Sequence, residues 1–238
     1  MRTVISHFYN EEYLLPWWLN HHKDIFDNGI LINYGSTDNS VNIIKSICPN
    51  WTVLNSNYTE FDARNCDLEV SAIEKELVDG YRIALNITEF IIGNIESMNV
   101  EQQYLIPVYP MIDSIEDEFK EPDINIPLVK QRFNGININR GADFFNIRKS
   151  RSYHLKNINY PVGRHFNTFN VNDVYILWYG YSPFTDKLID RKLQIQNKIS
   201  NRDKTEQRGR EHLIDRKQLL INFRSMQQHA EDLTTILK

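Results

Sequence analysis

Val4-Ile5-Ser6-His7-Phe8-Tyr9-Asn10-Glu11-Glu12 and Ile30-Leu31-Ile32-Asn33-Tyr34-Gly35-Ser36-Thr37-Asp38-Asn39-Ser40 share one pattern, a short apolar run that stops at a polar turn. Runs of this length, bounded by turn formers and followed by helix starts, read as buried strands of a repeating strand-helix unit. In a parallel sheet both turns lie at the carboxyl edge, where open α/β folds bind their ligands. The first forty residues therefore read as a nucleotide-binding half.

Working outward, Thr3 to Phe8 is strand one, and Glu11 to His22 is a helix with Leu14, Leu15, Trp18 and Leu19 on one face. Strand two covers Gly29 to Tyr34. Ser36 or Thr37 then caps a helix through Val41, Ile43, Ile44 and Ile47 that stops before Pro49, and Trp51 to Leu54 is strand three. A helix from Phe61 to about Leu77 is read with Leu68, Ala72, Ile73 and Leu77 inward and Glu69, Glu74, Lys75 and Glu76 outward. Tyr81 to Ile87 is strand four. This order implies a largely parallel sheet with helices on its faces. Beyond Gly93, Tyr104 to Met111, Leu128 to Phe133, Ala142 to Ile147 and Val174 to Tyr179 read as strands, and Asp113 to Pro127 as an acidic loop or short helix. From Ser182 the text is helical and charged, with a loop at Ser200 to Gly209.

The chain has 238 residues, within the range of one large domain. Hydrophobic residues make up 41% and charged residues 24%, so the sequence reads as folded almost throughout. A formal charge of -4 gives no global attraction to nucleic acid or an anionic membrane. No apolar run approaches the ~20 residues of a spanning helix. Cys48 and Cys66 form no Cys-x-x-Cys pair, and the first apolar run is interrupted by His7 and Glu11, so neither a disulfide framework nor a signal peptide is indicated. A cytoplasmic location is the expectation, and the Asn-x-Thr triplets at Asn50, Asn57 and Asn86 read as chance in an Asn-rich chain.

Four landmarks in order carry a resemblance: Asn10-Glu11-Glu12 ending strand one, Gly35-Ser36-Thr37-Asp38 ending strand two, Ala63-Arg64-Asn65 opening the helix before strand four, and Asn86-Ile87-Thr88-Glu89-Phe90 closing that strand. In this series the chain resembles family 2 type glycosyltransferases of the GT-A fold, bacterial and viral members among them. The likeness covers Val4 to about Gly93, with looser echoes at Gly163-Arg164-His165 and Tyr179-Gly180-Tyr181-Ser182. It implies a GT-A (Rossmann-like) domain over 1–181, divided into a nucleotide-binding half, 1–93, and an acceptor half, 94–181, with a helical extension at 182–238. It also implies a nucleotide-sugar donor along the carboxyl edge of strands one, two and four, a glycan or other hydroxyl acceptor, and transfer with inversion.

Residue types fit that expectation. Asn10, Glu11, Asn33, Ser36 and Asp38 are candidates for base and ribose, because helix starts favour polar and anionic groups; the plainer reading is that Ser36 to Asp38 cap a helix. Arg64, Asn86, Thr88 and Arg164 complete the donor set. Strand two of the family usually ends in an acid and strand four in an Asp-x-Asp that holds a divalent metal, whereas this chain has Asn33-Tyr34 and Asn86-Ile87-Thr88. A Mg²⁺ or Mn²⁺ ion wants hard anionic oxygens, and only Glu89 remains nearby. Three outcomes stay open: Glu89 with His165 or His154 holds a metal; the diphosphate is neutralised by cations drawn from Arg64, Arg140, Arg148, Lys149, Arg151 and Arg164; or the chain binds a sugar nucleotide without turning it over.

An inverting transfer needs a general base. Asp143 is preferred over Glu116-Asp117, which lie in a charge run that reads as a solvated face. Glu89 is the second catalytic candidate. Trp178 and Tyr179 are the acceptor candidates because aromatic faces pack on sugar rings; Trp17 and Tyr181 are further aromatics, and Trp18 reads as core. His21, His22, His212 and His229 have no convincing ligand spacing and read as helix-surface residues. Without Gly-x-Gly-x-x-Gly or a Walker sequence, a Rossmann oxidoreductase or P-loop enzyme is disfavoured.

Overall fold

A computed structural model describes residues 1–98, 102–139, 149–155, 158–171 and 173–235. Strands β1 (Arg2–Phe8), β2 (Asn28–Asn33), β3 (Thr52–Asn55) and β4 (Tyr81–Ala84) form an all-parallel sheet in the order β3-β2-β1-β4. Phe8 stands opposite Asn33 and Asn33 opposite Asn55, so β1, β2 and β3 end level with one another, while β4 stops at Ala84, opposite Ile5 and three residues short of the end of β1. Helices α1 (Leu15–His22), α2 (Ser40–Ile47) and α3 (Ala63–Glu76) make the crossovers. The expected α/β class, a parallel sheet flanked by helices, holds.

Helix α1 buries Leu14, Leu15, Trp18 and Leu19 completely, and Pro16 sits in its first turn where a missing N–H leaves no bond unmade. His22, read as a surface residue, is fully buried: its Nδ1 donates to the Trp18 carbonyl at 2.9 Å and its Nε2 accepts the Ile91 N–H at 3.3 Å. Two well-directed bonds remove the penalty that would otherwise keep an imidazole at the surface. Helix α3 also turns a different face inward. Cys66, Val70 and Glu74 are its buried residues, while Leu68 is 61% exposed and Ala72 lies outside; Ile73 and Leu77 pack as expected. The phase shifts because Glu74 finds buried cationic and hydroxyl partners.

The run read as one strand, Tyr81 to Ile87, divides. β4 ends at Ala84, Asn86 to Glu89 make a turn, and β5 (Glu89–Gly93) enters a second, mixed sheet. There β9 (Val174–Tyr181) pairs antiparallel with β5 and parallel with β6 (Tyr104–Ile112). β6 also pairs with the short strands β7 (Asn134–Gly135) and β8 (Ser150–Tyr153). Leu128 to Phe133 is not a strand: Leu128–Lys130 is a 3-10 turn anchored by buried Leu128. The expected strand at 142–147 lies outside the described residues.

After β9 the chain continues through α4 (Asp186–Gln194), a 3-10 turn at Ile195–Lys198, α5 (Asn201–Thr205) and α6 (Arg216–Gln227). Part of the stretch read as a loop, Ser200 to Gly209, is thus helical, because the Ser200 hydroxyl caps α5 by accepting the Asp203 N–H at 3.1 Å. Leu188, Ile189, Leu219 and Phe223 belong to the main core, where Phe223 stacks on Phe184 at 3.6 Å. β10 (Glu231–Asp232) pairs with β7.

Candidate ligand-binding edge

The two polar turns meet at the carboxyl edge and bind each other. Asn10 takes a left-handed conformation, φ 51°, which asparagine tolerates better than most residues. Its Oδ1 accepts the Thr37 N–H at 2.8 Å, and its own N–H donates to the Ser36 hydroxyl at 3.0 Å. The N–H of Glu12 donates to Asp38 at 3.0 Å, and Glu12 accepts from the Asn39 N–H at 2.9 Å. Glu11 donates its N–H to the Ser40 hydroxyl, and the Asn33 Oδ1 accepts the Ser36 N–H at 2.8 Å. Asn10, Asn33, Ser36 and Asp38 are therefore brought together, with much of their hydrogen-bonding capacity used between the turns.

The C-terminal region closes over this latch. The carboxylate of Glu11, 6% exposed, is gripped by both Nε and Nη2 of Arg191 on α4. Burial pushes that carboxyl up in pKa, with Arg191 opposing. Gln194 donates to the Asn10 carbonyl at 2.9 Å and accepts from its side chain at 3.2 Å. Residues 194–203 then run as a strap past the end of β2. Lys198 reaches the carbonyls of Tyr34 and Thr59, both at 3.3 Å, and Ile199 bridges to Phe61. Asp62 anchors the strap: it caps α3 through the Asn65 N–H, accepts from Ser200 at 2.8 Å, and is paired with Arg202. Burial acts to raise the Asp62 pKa, but the bonds from Arg202, Ser200 and Asn65 bring it down to about 2. Arg64, the second residue of α3, is exposed and meets Glu206 at 3.4 Å.

At the end of β4 the Asn86 side chain is half-buried and makes no hydrogen bond among the described residues. Its backbone N–H donates to Glu89 Oε2 at 2.7 Å. Thr88 is buried, its carbonyl accepting the Tyr179 N–H. Glu89, 1% exposed, accepts from Arg151 Nε with both oxygens at 3.0 Å, and Arg151 also donates to the Gly163 carbonyl. Two imidazoles feel that guanidinium. Burial first, then the charge of Arg151, lowers His7 to about 4 and holds His165 well below the ordinary histidine range, so both are neutral at pH 7.

Arg164, expected at the donor, is committed below the edge. Its Nη1 and Nη2 donate to Glu74 at 3.0 and 2.7 Å, Nη2 also donates to Ser71, and its plane lies 3.5 Å from the Tyr160 ring centroid. Glu74 in addition accepts from Tyr160 at 3.0 Å and faces His154 Nε2 at 3.4 Å. Only the partners across this pair, some 90 residues apart in sequence, explain why a glutamate faces the interior.

The aromatic candidates divide. Tyr179 is fully buried, donates to the Arg132 carbonyl at 2.8 Å, and is a core residue, which corrects its reading as an acceptor contact. Trp178 is half-buried, with Lys192 Nζ 5.9 Å from its ring. Trp17 is buried beside Tyr13. A groove of about 750 Å³ runs from Asn10 and Asp38 past Tyr13, Trp17, Glu121 and Arg191. Sequence reasoning missed Tyr13, Arg191, Gln194 and Lys198, because only long-range packing brings α4 and the strap to the edge. Asp143, Arg140 and Arg148 lie outside the described residues. Glu116 and Asp117 lie in turns after β6, and Asp117 pairs with Arg132 at 3.5 Å.

The donor set at strand four does not fit a divalent cation. Both Glu89 oxygens already accept from Arg151, Asn86 and Thr88 supply neutral groups, and His165 feels the charge of the same guanidinium, which would repel a metal. Among the described residues, no three His, Cys, Asp or Glu side chains come together as a metal-holding group.

No family model matches this sequence, and no curated protein matches it. Solved structures give partial likenesses. Staphylococcus aureus TarS, residues 1–349, is 15% identical over 50% of this chain and 40% of its own, with a TM-score of 0.32. The same protein in complex with UDP gives 14%, 50%, 39% and 0.32. Mycobacterium tuberculosis glucosyl-3-phosphoglycerate synthase, in complex with Mn²⁺, UDP and glucosyl-3-phosphoglycerate, is 11% identical over 48% of this chain and 44% of its own, at 0.33. The chain thus spans less than half the length of these proteins, and likenesses of this size bear on neither the site nor the activity. Among the described residues no helix is long and apolar enough to cross a membrane.

Proposed function

We propose that this chain binds a nucleotide sugar along the carboxyl edge of β1, β2 and β4 and transfers the sugar to a hydroxyl acceptor with inversion. The observation that supports it is the level ending of β1 and β2, which gathers Asn10, Asn33, Ser36 and Asp38 at one edge, while the Asn86 side chain, two residues past the end of β4, makes no hydrogen bond among the described residues. In this reading Asn33, Asn86 and Thr88 border the donor. Exposed Arg64 is free to exchange its weak surface pairing with Glu206 for phosphate. Glu11 and Arg164 act as positioning groups, one fixing α4 against the first turn and the other fixing α3. Glu89 and Arg151 form a neutral buried pair that holds the turn after β4. Asp143 is the proposed general base, Trp178 the proposed acceptor platform, and the groove beside Tyr13 an approach for the acceptor.

A second reading, a sugar-nucleotide or glycan-binding module without turnover, is favoured by one observation: Glu89 is already neutralised by Arg151. One experiment separates them. UDP, GDP, CDP and dTDP sugars, each with and without Mn²⁺, are screened by thermal shift, since a ligand at 100 times its Kd stabilises by about 2.7 kcal/mol. Bound donors are then assayed for hydrolysis and transfer. Binding with turnover supports the transferase, binding without turnover supports the sugar-nucleotide module, and no stabilisation by any donor overturns both of these, leaving only a glycan-binding module.

A further inference from the structure

Resting on that reading, we propose that Lys198, carried on the C-terminal strap, is a cation that contacts the phosphates of the nucleotide at the carboxyl edge, together with exposed Arg64. The argument begins from charge. A nucleoside diphosphate brings two or more negative charges to an edge whose strand-four turn offers an amide and a hydroxyl. Of the arginines that the sequence nominated as counter-charges and that are described, Arg151 is held in a buried pair with Glu89 and Arg164 in one with Glu74, and exposed Arg64 meets the carboxylate of Glu206 at 3.4 Å. Lys198 differs. Among the described residues no carboxylate lies within 4 Å of its ammonium, which is held by two carbonyls at a long 3.3 Å.

Its position is the second part. The ammonium lies 4.6 Å from the centroid of Tyr9, the first residue after β1, and bonds the carbonyl of Tyr34, the first residue after β2. It is therefore poised over the ends of the two central strands. Gly35 leaves space beneath it: φ is +74°, and a side chain built there would place its first carbon 4.0 Å from the ammonium. Such a glycine lets a ligand approach the backbone closely. The strap is fixed on both sides of Lys198, by Gln194 on Asn10 and by Ser200 and Arg202 on Asp62, so the cation is delivered to one place. A lysine serves phosphate as a compact point charge and can leave two weak carbonyl contacts for a charge-assisted one.

The test uses the full chain with UDP, GDP, inorganic pyrophosphate, uridine and guanosine as probes, titrated by calorimetry against wild type, Lys198→Met, Lys198→Gln and Lys198→Arg. The nucleotides and pyrophosphate are expected to bind at least about ten-fold more weakly to the Met and Gln variants, with partial recovery in Arg. Nucleosides should bind all four alike, and melting should be unchanged. Wild-type nucleotide affinity in both the Met and Gln variants overturns the role of Lys198 and leaves the nucleotide reading standing. Pyrophosphate binding that depends on Lys198, with no nucleotide bound, keeps the phosphate contact and overturns the nucleotide-sugar reading. Binding of neither to wild type overturns both.

Discussion

Arg164→Met tests whether the Gly163-Arg164-His165 turn supports the fold or contacts a ligand directly. The variant keeps the approximate length of the side chain and removes the guanidinium from a glutamate that is 1% exposed. Breaking one side of a buried ion pair costs about 3–5 kcal/mol, mostly because the remaining charge is stranded. Tyr160 still donates to Glu74 at 3.0 Å and offsets about 1 kcal/mol of this. The expected loss is therefore about 3 kcal/mol, or roughly 6–12 °C in Tm for a chain of this size. Glu74→Leu should lose a similar amount, while the double variant, with both charges replaced by apolar groups, should recover at least half of the summed loss. The assay is guanidinium unfolding followed by tryptophan fluorescence, read as a double-mutant cycle. A coupling below about 0.5 kcal/mol would refute the reasoning, most decisively if Arg164→Met also abolished the thermal shift by UDP or GDP while leaving stability intact.

Three further outcomes follow from the anchor and the buried titratable groups. Asp62→Ala removes the α3 cap and the Ser200 contact together, so it should cost about 1–2 kcal/mol and open residues 199–215 to limited proteolysis; an unchanged cleavage pattern would show the strap to be held elsewhere. His7 is lowered to about 4, so the unfolded chain binds its proton below pH 6.5 while the folded chain does not; stability should fall through that window, and His7→Asn should remove roughly 3 kcal/mol of the difference between pH 7.5 and 4. Asp113 is raised to about 6 by burial, against bonds from Ser182 and the Phe184 N–H and the charge of Arg132. Its contribution runs the other way, with stability falling as pH rises from about 4 to 6, and Asp113→Asn should flatten that component in melts at pH 4.5 and 7.

The first ninety residues were legible because their elements are local. Leu14, Leu15, Trp18 and Leu19 follow a helical period, and the runs before Asn10 and Tyr34 stop at turn formers, so strand and helix types follow directly. The break in the fourth strand was not legible, since Leu85 and Ile87 are as buried as the strand residues around them, and an apolar run does not show a change of sheet. The inward face of α3 was misread for a similar reason. Hydrophobicity assigns Leu68 inside and Glu74 outside, and the distant partners Arg164 and Tyr160 reverse that. At the site, residue types marked the edge, but their partners came from α4 and the strap. Whether Glu11 meets a ribose or Arg191 depends on a contact 180 positions away, which no local spacing encodes.

The contact between Asn10 and Gln194 also sets a timetable. Its two ends are separated by 184 positions, so at 5–20 residues per second a ribosome presents the second end roughly 10–40 s after the first. During that interval β1, β2 and their turns can form, yet the Asn10 carbonyl lacks Gln194 and the Glu11 carboxylate lacks Arg191. The edge is assembled in two instalments. A chaperone or ligand able to bind its early form has a window to do so before α4 and the strap arrive and take the place.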